Sequence, residues 1–243
     1  ETIMPKPRPP LDKREDFGKI LTVAGFYTIL SGILNGVAVT ELTTPVGYTS
    51  GPCVNAGRFL ALGQTANWWK ILGISINFYL GGIIVGLTGS SYDDIFEGKV
   101  SIGMLCSAIL MAAGAYAKKT LNKPVLAIQI LALSQGWTNA ITSKFSACPI
   151  RATHTAGGMT DSALSIGQAF IALKNGTATP PMRKAILNMV CNLGMIFGGF
   201  VSVKSYKKYG ALVMYQCAAA LAASTFVFPA MLPSSDDEKK EKS

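Results

Sequence analysis

Charged residues are scarce in this 243-residue sequence: they make up 14% of it, whereas 49% of the residues are hydrophobic. Between Gly18 and Tyr116 only eight side chains carry a formal charge, and the gaps between them are long enough for membrane-spanning helices. Soluble helical bundles need polar stripes along their helices, and these segments lack them. The sequence therefore predicts an integral membrane protein.

The sequence also lacks the histidine and cysteine patterns of a metal site or a disulfide framework. His154 is the single histidine, so it cannot form a multi-histidine metal site, and we expect no bound metal. The five cysteines include no C-x-x-C pair, and their odd number does not indicate a disulfide framework. A bridge between Cys53 and Cys148, which lie in two loops predicted on one side of the membrane, is the alternative left open.

Motifs of catalysis and of nucleic-acid binding are missing as well. The sequence has no Gly-x-Ser-x-Gly turn, no phosphate-binding Gly-x-x-x-x-Gly-Lys and no carboxylates paired at acid–base spacing. The net charge of +9 comes from basic residues next to apolar segments, without a groove-reading motif. We therefore expect neither an enzyme nor a nucleic-acid partner, and no cofactor.

What the sequence does contain is a short pattern that occurs twice, 104 residues apart. Gly32-x-x-Asn35-Gly36 is matched by Gly136-x-x-Asn139-Ala140, and Leu60-x-x-Gly63-Gln64 is matched by Leu164-x-x-Gly167-Gln168. This duplication predicts two copies of one membrane module, at residues 18–117 and 118–231. A proline-rich basic arm (1–17) precedes the modules, and a charged tail (232–243) follows them.

The predicted fold is an all-α polytopic membrane helix bundle with two tandem repeats of about four helices each. Six segments are long enough to span a bilayer, at about 18–40, 69–89, 99–117, 122–143, 183–203 and 208–231. Two shorter segments, about 52–67 and 156–174, follow the duplicated loops. The distribution of basic residues favours eight crossings in two parallel sets of four over six crossings with two re-entrant short helices.

Glycine rows mark the predicted helix contacts. Gly82-x-x-x-Gly86 corresponds to Gly194-x-x-x-Gly198 at an offset of 112 residues. Small residues let membrane helices approach closely, so we expect both rows to be contact surfaces. They could serve inside the chain or against another membrane subunit.

The candidate binding residues lie in and around the duplicated loops. Each loop leads into a short helix, whose N-terminus suits an anionic ligand, although the loop residues could also serve only as caps and packing. The candidates are Asn35, Ser50, Asn55, Arg58, Asn139, Thr153, His154, Thr160 and Asp161. Arg58 and Asp161 are charged residues in apolar surroundings, which predicts an ion pair between them, with an Arg58 side chain reaching the membrane surface as the alternative.

The second loop carries a family resemblance. Gln135-Gly-Trp-Thr-Asn139-Ala140 precedes Thr153-His154-Thr-Ala-Gly157-Gly-Met-Thr160-Asp161, and this pattern resembles the YoaK-type family of multi-pass membrane proteins, a domain of unknown function. The first loop departs from the family, because Tyr48-Thr-Ser50-Gly51-Pro52 replaces the usual histidine and asparagine, while Asn55 is kept. The resemblance implies a membrane fold and leaves the biochemistry open.

Two functions follow as hypotheses. The first is a small-solute transporter or permease with a site between the two repeats. The second is a non-catalytic accessory subunit of a larger membrane complex, respiratory or photosynthetic, which would meet its partners through the Gly82/Gly86 and Gly194/Gly198 faces. The second hypothesis allows bound lipid or pigment. The bilayer is the common partner, and it could be a bacterial plasma membrane or an organellar membrane such as the thylakoid.

Overall fold

The computed structural model describes residues 15–87, 98–143, 150, 155–177 and 182–230. Most of the predicted arm and the whole predicted tail lie outside these residues. The described part contains eight α-helices and no strand: α1 (Phe17–Leu42), α2 (Ser50–Ala61), α3 (Thr65–Leu87), α4 (Gly98–Lys119), α5 (Pro124–Ser143), α6 (Thr155–Lys174), α7 (Arg183–Tyr209) and α8 (Leu212–Ala230). The all-α class is confirmed, and the first predicted short segment is the 12-residue α2. The second predicted short segment is not short, because α6 has 20 residues, one more than α8.

Five of these helices are long and apolar enough to cross a membrane: α1, α3, α4, α7 and α8. Helix α5 was predicted as the sixth, and with 20 residues it has the length, but its composition is more polar. Its polar side chains, among them Ser134, Gln135 and Thr138, are buried inside the bundle. Because lipid does not meet these groups, their polarity is compatible with a crossing helix.

The direction of each helix follows from close contacts. Along α1 and α7, a Cβ at Gly25 would meet Val190 and one at Gly36 would meet Ser202, so the two helices run parallel. Along α3 and α5, a Cβ at Gly73 would meet Gln129 and one at Gly81 would meet Leu133 and Trp137, so this pair is parallel as well.

The other helices complete the pattern. Helices α4 and α5 form an antiparallel hairpin, with Ser107 bonded to Ser134 near the middle. The last turn of α4 reaches the end of α1, where Lys118 pairs with Glu41. At the opposite end of the bundle, Phe228 near the end of α8 packs on Phe26 in the first half of α1. Helices α1, α4 and α7 thus run one way, and α3, α5 and α8 run the other way.

These directions correct the predicted topology. Because α1 and α3 are antiparallel, α2 begins and ends on one side of the bundle, and α6 does the same between α5 and α7. Helix α2 has 12 residues, about 18 Å, which is too short for a hydrocarbon core of about 30 Å. The preferred eight crossings in two parallel sets are therefore wrong. The directions give six crossings, with α2 and α6 as re-entrant helices; for α6, which has the same 20 residues as α5, this follows from direction and not from length.

The charge rule failed because basic residues occur at both ends of the bundle. Lys118, Lys119 and Lys208 lie at the end where α1 and α7 finish, whereas Arg183 and Lys184 lie at the end where α7 begins. The positive-inside rule predicts orientation from an excess of basic residues on one side of the membrane, and it is uninformative when both sides carry them. Helix contacts inside the bundle carry the information instead.

Glycines allow the parallel pairs to touch backbone to backbone. A Cβ at Gly198 would lie 2.2 Å from the Ile29 carbonyl oxygen, and one at Gly136 would lie 2.0 Å from the Phe78 carbonyl oxygen. Separations under about 3 Å cannot be accommodated without moving a helix, so both pairs of helices need glycine at these contacts.

The predicted glycine rows are only half right. Gly194 and Gly198 form a contact surface, but they are buried against α1, so this face is not available to another subunit. On α3 the close contact is made by Gly81, whereas Gly82 only reaches Ala140 at 4.0 Å and Gly86 has nothing within 4 Å. The offset of 112 residues therefore aligned the wrong glycines. Gly81 is the equivalent of Gly198, because each makes the close backbone contact of its helix, Gly81 with α5 and Gly198 with α1.

Candidate functional site

A buried hydrogen bond joins the two halves of the chain at mid-bundle. The Ser31 hydroxyl on α1 donates to Gln135 Oε1 on α5 at 2.7 Å, and each residue is only 2% exposed. The two residues are 104 apart, which is the offset of the duplicated pattern. In an apolar interior such a bond holds both helices at a fixed register, since neither group has water as an alternative partner.

Asn35 holds the first duplicated loop against α1. Its Oδ1 accepts from the backbone N–H of Val46 at 2.9 Å and of Gly47 at 2.7 Å, and its Nδ2 donates to the Ser31 carbonyl at 2.9 Å. The chain therefore turns back into the bundle after α1 and starts α2 from inside. Asn35 was predicted as a ligand-binding residue, and the structure gives its side chain a full set of protein partners that position the loop.

Gly47 is fixed by the same contact. A Cβ at this position would lie 2.5 Å from Asn35 Nδ2, so a larger residue would push the loop off the amide. The neighbouring threonine, Thr44, is 1% exposed, and its hydroxyl has no hydrogen-bond partner among the described residues. The loop backbone is thus held at mid-bundle by one side chain.

A second polar cluster lies between α4 and α5. The Ser107 hydroxyl lies 2.7 Å from the hydroxyls of both Ser134 and Thr138, and the Ser134 hydroxyl donates to the Ser107 carbonyl at 3.0 Å. All three residues are buried. Their hydroxyls satisfy one another, which fits a packing role between the two helices of the hairpin.

The candidates on α2 face outward. Ser50 and Arg58 are exposed and Asn55 is half-buried. The Arg58 guanidinium lies 5.7 Å from the centre of the neighbouring Phe59 ring. On the same helix Cys53 is a free, exposed thiol 3.6 Å from the Ser75 hydroxyl, so the alternative bridge to Cys148, which lies outside the described residues, is not formed.

Asp161 on α6 has a different partner from the predicted one. Its Oδ2 lies 2.9 Å from Lys184 Nζ on α7, and both side chains are well exposed, at 45% and 63%. The predicted Arg58–Asp161 ion pair is therefore wrong, and its alternative, an Arg58 side chain at the surface, describes the structure. The repeat offset predicted proximity, but α2 packs on α3 and α6 packs on α7, which separates the two charges.

The remaining candidates belong to the second half. Thr160 is exposed on α6, and Asn139 is half-buried near the end of α5, where its carbonyl accepts from the Thr142 hydroxyl at 3.2 Å. Both side chains of the loop motif itself, Thr153 and His154, lie outside the described residues. Their predicted roles stay predictions.

Two amides on α7 were missed by the sequence analysis. Asn188 and Asn192 are one turn apart, and Asn188 Nδ2 and Asn192 Oδ1 are buried atoms without a hydrogen-bond partner among the described residues. Asn192 is 8% exposed. A signal for them was present in the sequence, because two amides four residues apart are unusual in a helix apolar enough to span a membrane.

A charged cluster at one end of the bundle was also missed. Glu41, near the end of α1, accepts from Lys118 on α4 and from the Tyr206 hydroxyl on α7. The side chains of Glu41 and Lys118 are only 17% and 22% exposed. This cluster, Glu41–Lys118–Tyr206, ties the C-terminal ends of three helices together.

The long apolar helices, the backbone contacts through glycine and the polar interior define an integral multi-pass membrane protein. The chain belongs to the family described as protein of unknown function (DUF1275), whose profile matches residues 23–227. No curated protein and no solved structure matches the chain. Among the described residues, no group of three or more His, Cys, Asp or Glu side chains is placed to hold a metal ion.

Proposed function

We propose that this protein is a small-solute transporter whose site lies between two halves of opposite orientation. The observation that carries the proposal is the antiparallel relation of α1 and α5 together with the Ser31–Gln135 bond. Ser31 and Gln135 are equivalent positions, because they are separated by the offset of the duplicated pattern. Two equivalent residues can be in contact only close to the symmetry axis that relates one half to the other. Inverted repeats with a midplane site between them are the common plan of secondary transporters.

The packing of the helices interleaves the two halves. The first helix of each half packs on the third helix of the other, as α1 does on α7 and α5 does on α3. Each of these contacts is backbone to backbone through glycine. Flat glycine surfaces make few interlocking side-chain contacts, so within each pair the helix of one half can move on the helix of the other half with little repacking, as alternating access requires.

The re-entrant loops provide the polar backbone that a solute needs. Irregular backbone at membrane depth is tolerated only where protein or a water-filled cavity covers it. Asn35 holds the N–H groups of Val46 and Gly47 at this depth by accepting from both. A solute beside this loop would thus meet the dipoles of a bonded polar backbone in place of water.

Uptake into vesicles tests the proposal. The full chain is reconstituted into liposomes and offered radiolabelled amino acids, hydroxy acids, sugars and urea; we expect saturable uptake of at least one class above empty liposomes. Gly47→Ala, which displaces the Asn35 amide, should reduce that uptake at least about tenfold. Gly57→Ala on α2 is the matched control, because a Cβ there meets nothing within 4 Å.

Absence of uptake for the whole panel would contradict transport and favour the accessory subunit. One feature supports that second candidate: an outward groove of about 510 Å³ on α6, lined by Thr160, Ala163, Leu164, Gly167, Gln168 and Ile171. Exposed apolar faces with a central glycine suit a neighbouring membrane helix as well as lipid. Stable co-migration with a pigment- or cofactor-bearing complex after mild detergent extraction would be the supporting result.

A further inference from the structure

The unpaired amides of α7 lie on the part of α7 that packs beside the first turn of α6. Helices α6 and α7 are antiparallel, with Ser162 bonded to the Ala185 carbonyl and Gly158 beside Asn188. Continuing from Gly158 toward the start of α6 leads along α7 from Asn188 toward Asn192. The antiparallel register therefore places the buried Asn192 level with the start of α6.

The three groups in this place have complementary chemistry. The first N–H groups of α6 have no partner within the helix and carry its positive dipole end, and Asn188 Nδ2 is a further buried donor. Asn192 Oδ1 is a buried acceptor. Leaving such atoms unpaired costs about 1–3 kcal/mol each, so each of them calls for a partner, which a bound ligand can supply.

We propose that the α6 N-terminus, Asn188 and Asn192 form a binding site for a small carboxylate solute that carries a hydroxyl or ammonium group on the neighbouring carbon. The carboxylate accepts from the α6 N–H groups and from Asn188 Nδ2, and the adjacent donor bonds to Asn192 Oδ1. Binding at these residues stands on their geometry alone. That the bound solute is also the transported one rests on the proposed function.

Binding to the purified full chain in detergent tests the site without transport. The probes are radiolabelled glycolate and glycine, with acetate as the analogue that lacks the donor. We expect glycolate or glycine to bind and acetate to bind at least about tenfold more weakly. Glycolate alone would identify hydroxy acids and glycine alone amino acids, whereas binding of neither, or equal binding of acetate, would overturn the proposal.

Variants separate a ligand site from a structural role. Asn188→Leu and Asn192→Leu remove unpaired polar atoms, so each should raise the melting temperature of the ligand-free protein while lowering probe affinity at least about tenfold. Asn77→Leu on α3 is the matched control, because Asn77 Nδ2 already donates to the Gly73 carbonyl at 2.7 Å; it should leave probe affinity unchanged. Lower melting temperatures with unchanged affinity in the α7 variants would overturn the site.

The transport assay distinguishes the two proposals. Binding that the α7 variants abolish, in a protein that moves no solute, would refute transport and keep the site. Uptake that is unaffected by Asn188→Leu and Asn192→Leu would refute the site and keep transport.

Discussion

At the scale of single residues, the molecule is organised by glycines that have no room for a side chain. Gly32 and Gly198 meet across α1 and α7, and Gly81 and Gly136 meet across α3 and α5. At each of the four a Cβ would lie under 3 Å from backbone atoms, which cannot rotate away as a side chain can. Gly86 is the contrasting case, since its surroundings are open.

This contrast predicts that a glycine-to-alanine substitution lowers stability at one position and not at the other. Gly136→Ala should force α3 and α5 apart and destabilise the fold by about 1–3 kcal/mol or more, lowering the yield of monodisperse protein and its melting temperature in detergent. Gly86→Ala should be neutral or stabilise by up to about 1 kcal/mol, because alanine is the better helix former. Equal melting temperatures for the two variants would show that the contact at Gly136 is not tight.

At the scale of helices, the two ion pairs differ in the helices that they join and in their exposure. The Glu41–Lys118–Tyr206 cluster joins the ends of α1, α4 and α7, and its charged side chains are mostly covered. The Asp161–Lys184 pair joins two helices that already form a hairpin, and its side chains are about half exposed. Covered pairs lose more when one partner is removed, because the remaining charge is left without water or a counter-charge.

Removing one charge from each pair tests this difference. Glu41→Gln should destabilise the bundle by about 1–3 kcal/mol, and the exchanged variant Glu41→Lys/Lys118→Glu should recover part of the loss. Asp161→Asn should change stability by less than about 1 kcal/mol. The measurement is the melting temperature in one detergent at low and high salt; equal losses from both pairs would contradict the prediction.

At the scale of the whole molecule, the sequence predicted the class and the order of eight helices because long apolar runs and glycine-bearing loops are local signals. It did not predict which helices touch. The Arg58–Asp161 pair and the 112-residue alignment of Gly86 with Gly198 both failed for this reason, since packing depends on the direction and register of distant segments. The duplicated pattern indicated Asn35 as a candidate binding residue, and the structure shows that its side chain holds a loop.

Helix direction has a consequence for which turns share a side of the membrane. With six crossings, the α2–α3, α4–α5 and α7–α8 turns lie on one side and the α6–α7 turn lies on the other. With eight crossings, the α6–α7 turn would share its side with the α2–α3 and α4–α5 turns, and the α7–α8 turn would lie opposite. The position of two turns relative to the others therefore decides the topology.

Single cysteines at exposed turn residues measure this arrangement. In a variant with its five native cysteines replaced, we expect cysteines at Gln64, Lys123 and Lys208 to react with a membrane-impermeant maleimide from the same side of sealed vesicles. A cysteine at Asn175 should react only from the opposite side, or after the vesicles are opened with detergent. Labelling of Asn175 together with Gln64 and Lys123, but not with Lys208, would restore eight crossings and with them a parallel arrangement of the halves, which would remove the structural basis for an inverted-repeat transporter.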